Sequence, residues 1–224
     1  MRKWAAFMIC FCILPATLSP SMLHHSYTYL ALGDSYTIGE GVPLASNFPY
    51  QTVQLLRKAG FDFHAPEIVA TNGWSTDELQ QAIDSTLLKK QYDIVSLLIG
   101  VNDQYRGWPV TEYHGRFEQL LQQAVSFAGN QHSHVFVLSI PDWGVTPFAE
   151  GRDRNQIEKE IDSYNEVNKT IAAKYQVHYI DITPGSRDAA TDESLIASDK
   201  LHPSGKEYSK WAGQLADSIE KVIR

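Results

Sequence analysis

Tyr92-Asp93-Ile94-Val95-Ser96-Leu97-Leu98-Ile99 is the stretch on which the fold turns. Val95, Leu97, Leu98 and Ile99 run almost without interruption, the pattern of a strand covered on both faces. Four further β-rich runs, residues 27–32, 67–70, 134–140 and 177–182, are spread along the chain. Amphipathic helical patterns separate them. Phe117, Leu120, Leu121, Ala124 and Val125 fall on one helical face, as do Ile157, Ile161, Tyr164, Val167 and Ile171, and then Tyr208, Trp211, Leu215, Ile219 and Val222. Strand-helix alternation at this spacing predicts an α/β fold, a parallel sheet with helices on both faces. No repeat, low-complexity tract or Pro/Gly/Ser linker divides the pattern, which predicts one domain over 22–224.

The residues ahead of that domain read differently. Arg2 and Lys3 precede an apolar run from Trp4 to Leu14, followed by Pro15, small residues and Ser21. This is the order of a secretory signal peptide over 1–21, and the run is short for a bilayer span. The expectation is export, periplasmic or secreted, with an uncleaved N-terminal membrane anchor as the alternative and no stable membrane insertion once the leader is removed. Both cysteines, Cys10 and Cys12, lie inside the leader, so the mature chain would hold neither disulfides nor a thiol nucleophile. The 224 residues carry a formal net charge of −7, and no basic run interleaves with aromatics. That removes the electrostatic support for a nucleic-acid partner.

Chemistry-bearing residues gather where strands are expected to end. Gly33-Asp34-Ser35 follows the first run, placing the Ser35 hydroxyl at the carboxyl edge of the sheet, where sites of open α/β sheets collect. A serine hydroxyl needs a neighbouring base before it becomes an effective nucleophile. Asp199 stands three residues before His202 and just ahead of the last helix, so the carboxylate can hold one ring nitrogen and leave the other free. Gly100-Val101-Asn102-Asp103 and Thr71-Asn72-Gly73 supply backbone and side-chain amide donors for a developing oxyanion. Taken singly, each motif is also ordinary turn chemistry. Together, G-D-S, G-x-N-D and D-x-x-H occur by chance in roughly one shuffled chain in a thousand. Ser75-Thr76-Asp77-Glu78 and Ser204-Gly205-Lys206-Glu207 read as capping boxes that place two of these motifs at turns into helices.

Ala31-Leu32-Gly33-Asp34-Ser35, then Gly73, then Ile99-Gly100-Val101-Asn102-Asp103, then Asp199-x-x-His202-Pro203 resembles the GDSL or SGNH hydrolases, in the family's own order and from about residue 27 onward. The resemblance implies a three-layer α/β/α sandwich around a parallel sheet, flavodoxin-like, that works with no metal and no cofactor. It assigns Ser35 as nucleophile, His202 as general base and Asp199 as its orienting partner. The implied oxyanion hole comprises the Ser35 and Gly73 backbone N–H groups and the Asn102 side chain. Asp34 would shape the turn. Thr37 stands where some members carry leucine, a departure expected to bear on the pocket floor. No G-x-S-x-G elbow is present.

Aromatic residues in the adjoining loops, Tyr105, Trp108, Trp143 and Phe148, are candidates for a substrate pocket, either as an acyl or aryl wall or as a sugar-stacking platform. Arg106 is a candidate contact for an anionic head group. His132 and His134 have a spacing compatible with a metal but lack an evident third ligand. His24-His25 is expected to be solvated, and His64, His114 and His178 to lie at the surface or at strand edges. Asn168-Lys169-Thr170 fits a glycosylation acceptor but falls within a helix. The reading is a serine hydrolase cleaving carboxylic esters through an acyl-enzyme, acting on short to medium acyl esters or a lysophospholipid. Carbohydrate acetylesterase and acyl thioesterase activity are alternatives on the same triad, and a non-catalytic binding module retaining the fold is the further rival. Oligomeric state is left open.

Overall fold

The structure, a computed structural model, describes residue 1 and residues 25–224. The expected leader, with Cys10 and Cys12, lies outside the described residues apart from Met1. From the amino end the elements are β1 (Ser26–Tyr27), β2 (Tyr29–Gly33), α1 (Ser35–Ile38), α2 (Phe48–Lys58), β3 (Asp62–Phe63), β4 (Glu67–Ala70), α3 (Thr76–Ser85) and β5 (Ile94–Leu98). There follow α4 (Val101–Tyr105), α5 (Val110–Phe127), β6 (Val135–Leu138), α6 (Arg154–Lys174), β7 (His178–Ile180), α7 (Thr183–Ser186) and α8 (Gly205–Ile223).

Five strands form a parallel sheet in the order β4-β2-β5-β6-β7. The chain runs from β2 outward to β4 and then returns to the other side of β2 as β5. That reversal makes the carboxyl end of β2 the topological switch point, where a crevice opens between diverging loops. Register aligns the site: Gly33 lies beside both Ala70 and Leu98, so the turns leaving β2, β4 and β5 start side by side.

The sheet is buried on both faces, as its apolar runs require. Leu30, Ala31, Leu32, Val95, Leu97 and Leu98 are wholly inaccessible to solvent. Helices α2 and α8 pack on each other, while α5 packs on both α3 and α6, giving the helical layers of the sandwich. α8 buries Tyr208, Trp211, Leu215 and Ile219, and α5 buries Phe117, Leu120, Leu121, Ala124 and Val125. Val167 and Val222 are only partly buried. In α6 the polar Asn165 and Asn168 are buried instead. Asn165 braces the strand end by accepting from Ile140 N–H at 2.7 Å and donating to Ile140 C=O at 2.9 Å. Asn168 accepts from the Tyr113 hydroxyl at 2.6 Å and is wholly buried, which closes it to glycosylation in the folded chain.

Two local expectations differ. Residues 27–32 form two strands, because Thr28 gives its N–H and its hydroxyl to Asp93, each at 2.7 Å, and so withdraws its N–H from the ladder. The detached β1 pairs with β3 in a separate two-stranded sheet. Ser75 begins α3 as a capping box, with Glu78 accepting from Ser75 N–H at 2.9 Å. At α8 only half of the box forms: Ser204 accepts from Glu207 N–H at 3.4 Å, but the Glu207 carboxylate is taken by Trp211 Nε1 at 2.8 Å and Lys210 Nζ at 2.9 Å. A buried indole N–H needs an acceptor more than an exposed helix start does. No helix among the described residues is long and apolar enough to cross a membrane.

Candidate active site

The nucleophile candidate lies on a one-turn helix. Asp34 caps α1 by accepting from Tyr36 N–H at 3.0 Å, which fixes Ser35 as the first helical residue. Gly33 is required there by space, since a Cβ would lie 2.1 Å from Thr37 Oγ1 and 2.4 Å from the Leu98 carbonyl. Thr37 is therefore wedged beneath the turn, wholly buried, and does not line the pocket floor as expected. Asp34 is itself wholly buried with one carboxylate oxygen unpartnered. Burial pushes its pKa up to about 8, with the Asp103 charge adding to the rise and the Tyr36 N–H opposing it.

Asp199 and His202 arrive from the turn before α8. The turn is held by Ala197 N–H donating to the His202 carbonyl at 2.7 Å and by an antiparallel bridge between Ile196 and Pro203. His202 Nδ1 is 2.6 Å from Asp199 Oδ2, and His202 Nε2 is 2.9 Å from Ser35 Oγ. Asp199 Oδ1 accepts from the backbone N–H groups of Leu201 (2.9 Å) and His202 (3.0 Å). Partial burial alone would raise the Asp199 pKa. The Leu201 N–H and the His202 side chain outweigh it and hold the carboxyl below its ordinary value. A carboxylate only accepts, so Nδ1 carries the ring proton and Nε2 presents its lone pair to the serine hydroxyl. Tyr36 packs edge-on against the imidazole with ring centroids 5.4 Å apart. Ser35 and His202 are both buried.

Opposite them, Asn102 Nδ2 donates to the Trp74 carbonyl at 2.9 Å, tying α4 to the loop that contains Gly73. An amide nitrogen has two hydrogens, so one remains for the pocket that Asn102 lines. Gly73 has φ +84°, a backbone conformation that favours glycine. Asp103 faces away from the pocket. It accepts from Thr76 N–H at 3.0 Å and Thr76 Oγ1 at 2.5 Å, at the first turn of α3.

A cavity of about 150 Å³ opens over Ser35 and His202. Tyr105, Trp143 and Phe148 wall it, and Tyr36, Asn72, Val101 and Leu201 complete it. Of these four, Asn72, Val101 and Leu201 sit inside motifs already singled out, whereas Tyr36 carries no periodic or compositional signal. The three wall rings pack on one another at centroid separations of 5.4 to 6.2 Å, with the Arg152 guanidinium over them and bonded to the Tyr105 hydroxyl at 2.9 Å. Trp108 is not part of this wall. Its ring is covered by Arg116 at 4.5 Å and Arg106 at 5.6 Å, and its carbonyl accepts from Tyr164, which turns it toward α5 and α6. Arg106 is likewise not a free head-group contact. It is spent on Ser75, Gly73 and Glu78.

Three histidines outside the site have structural partners. His132 Nδ1 bonds the Tyr175 carbonyl, and His134 Nδ1 bonds the Asp93 carbonyl at 2.6 Å. His25 is exposed, as expected, and also pairs with Asp93 at 2.7 Å. Among the described residues no cluster of three or more His, Cys, Asp or Glu is arranged to hold a metal ion.

The same fold recurs in solved hydrolases. A psychrotrophic esterase EstA from Pseudoalteromonas sp. superposes with a TM-score of 0.68 at 18% identity, covering 88% of this chain and 98% of its own. A lipase/acylhydrolase from Enterococcus faecalis gives 0.70 at 17% identity, covering 88% and 97%. Axe2, an acetylxylan esterase from Geobacillus stearothermophilus, gives 0.67 at 18% identity, covering 86% and 94%. No curated protein sequence matches the chain. The sequence profile of the GDSL-like Lipase/Acylhydrolase family matches residues 31–210, which spans β2 to α8 and every motif of the cavity. The chain thus belongs to the GDSL-like lipase/acylhydrolase family and is an ester-hydrolysing serine hydrolase.

Proposed function

We propose that the substrates are carboxylic esters of short to medium acyl chains, cleaved through an acyl-enzyme on Ser35. The observation that carries this reading is the continuous line of hydrogen bonds from Asp199 through His202 to the Ser35 hydroxyl. Ser35 Oγ attacks the ester carbonyl carbon while its proton passes to His202 Nε2, and Asp199 stabilises the resulting imidazolium. The carbonyl oxygen becomes an oxyanion that the Ser35 and Gly73 backbone N–H groups and the Asn102 amide stabilise. Collapse of the tetrahedral intermediate expels the alcohol, which takes its proton from His202. Water then attacks the acyl-enzyme, again giving a proton to His202, and the acid leaves with Ser35 restored.

The cavity of about 150 Å³ favours the shorter acyl chains, because its wall is made of large, mutually packed rings. Hydrolysis rates for p-nitrophenyl esters of increasing chain length test this. A rate that falls beyond medium chains supports the reading, and a preference for long chains overturns it. Acetylated carbohydrate is the second reading, favoured by the Tyr105 and Phe148 rings of the cavity wall, which are 44% and 42% exposed and so leave surface open for stacking on a sugar. Acetate release from acetylated xylan at a rate well above that from p-nitrophenyl acetate would select it.

Export belongs to the same proposal and rests on the basic start and apolar run within residues 1–21. Sequencing the amino end of the protein recovered from outside the cytoplasm tests it. A start at Met22 is expected, and an intact leader on a membrane-bound form would favour the anchor.

A further inference from the structure

The loop from Thr71 to Trp74 is anchored at one end by Trp74, which packs on the core, but residues 71–73 have little packing to hold them. Thr71 and Asn72 are exposed, and an added Cβ at Gly73 would meet no atom within 4 Å. A backbone donor in such a loop would swing freely unless hydrogen bonds fixed it, and an oxyanion donor is effective only when fixed in advance.

Asn102 holds the loop at the Trp74 carbonyl, and the group that holds the Gly73 carbonyl itself is the Arg106 guanidinium. Arg106 Nη2 donates to the Gly73 carbonyl at 2.8 Å and to Glu78 Oε2 at 2.9 Å, while its Nη1 donates to Ser75 Oγ at 2.9 Å. Glu78 Oε2 also accepts from Ser75 N–H at 2.9 Å, so the arginine, the loop and the first turn of α3 close into one ring of bonds. Arg106 is placed by α4 itself, since its N–H donates to the Asn102 carbonyl at 3.1 Å. The residue that orients Gly73 is therefore bonded to the residue that supplies the amide donor.

From this geometry we infer that Arg106 is a positioning residue for the oxyanion hole, holding the Gly73 peptide in register with Asn102. The inference rests on the oxyanion reading above. It touches no substrate atom and acts through Gly73. The Gly73 carbonyl and the Gly73 N–H lie in adjacent peptide planes joined at the Gly73 Cα, so holding the carbonyl plane fixes one side of that hinge and narrows the range through which the N–H plane turns. Lysine cannot replace it fully, because one ammonium on a flexible stem does not match a planar fork that meets a carbonyl, a hydroxyl and a carboxylate at once.

The test compares Arg106→Ala, Arg106→Lys and Asn102→Ala in the full chain by steady-state hydrolysis of p-nitrophenyl acetate and by thermal unfolding. For Arg106→Ala the expected kcat falls by about tenfold to a hundredfold, the range that misplaced groups lose, while KM stays within about twofold. Arg106→Lys should fall between wild type and Arg106→Ala, and millimolar guanidinium ion should return part of the kcat lost in Arg106→Ala. A wild-type kcat in Arg106→Ala beside a damaged Asn102→Ala overturns the positioning role alone. A wild-type kcat in both overturns the oxyanion reading with it. A loss that merely tracks the unfolded fraction, with no response to guanidinium, makes Arg106 a structural residue and also overturns the inference.

Discussion

His202 Nε2 stands 2.9 Å from Ser35 Oγ although 167 positions separate the two residues in the chain. The strand order sets the end of β2 between β4 and β5, inside the sheet, and the turn before α8 folds back over it. Ser35→Ala removes the nucleophile and little volume. It should lower kcat for a chromogenic acetate ester by at least about a thousandfold, as loss of a group acting in a catalytic unit does, with an unchanged melting temperature. Turnover close to wild type would show that another group attacks the ester.

Asp199 holds the imidazole by a 2.6 Å bond to Nδ1. Asp199→Asn puts an amide in that place, which can donate to the ring and favour the tautomer that presents a hydrogen to Ser35. A kcat loss of about a thousandfold or more is expected at nearly constant KM, in line with the same change in other triads. A change confined to KM would move Asp199 from orienting the base to binding substrate.

The pocket wall and the nearby Trp108 separate under mutation. Tyr105→Ala opens the cavity beside Trp143 and Phe148, so the preferred acyl chain of p-nitrophenyl esters should lengthen. Trp108→Ala removes a ring held between Arg106 and Arg116, so it should lower the melting temperature and leave the chain-length profile unmoved. A shift of the profile by Trp108→Ala alone would contradict the placement of both residues.

Asp34 makes stability depend on pH. With its folded pKa raised by burial to about 8, the folded chain holds a proton at this site that the unfolded chain has released, over the window from the ordinary carboxyl value upward. Stability from this group is therefore greatest in acid and falls as pH rises from about 4 to 8. Asp34→Asn keeps an acceptor for the α1 cap and removes the titration. The melting temperature of the variant should decline less between pH 5 and 8 than that of wild type, as recorded by thermal unfolding at each pH (about 4 to 8 being the active window). Parallel declines would place the proton elsewhere.

Residues 92–99, 67–70 and the apolar faces of α5 and α8 were legible from periodicity, because a residue buried by its own element leaves a local pattern. The split of residues 27–32 was not, since it depends on Asp93, brought to Thr28 from 65 positions away. The half-formed box at Ser204 escaped for the same reason: the local motif is complete, but Trp211 competes for Glu207 once both are buried.

What the amino-acid order determined by itself was the alternation of strands and helices and the set of chemical groups, Ser35, Gly73, Asn102, Asp199 and His202, at the ends of those elements. These follow from short-range rules of periodicity, turn chemistry and spacing. Tertiary structure alone decided the direction of side chains around the cavity: Tyr105, Trp143 and Phe148 turn into it, Trp108 turns to its arginines, and Arg106 turns back to grip Gly73. A residue in a loop or a one-turn helix has no periodicity to aim it. Its orientation is set by whichever distant acceptors and rings the folded sheet brings within reach.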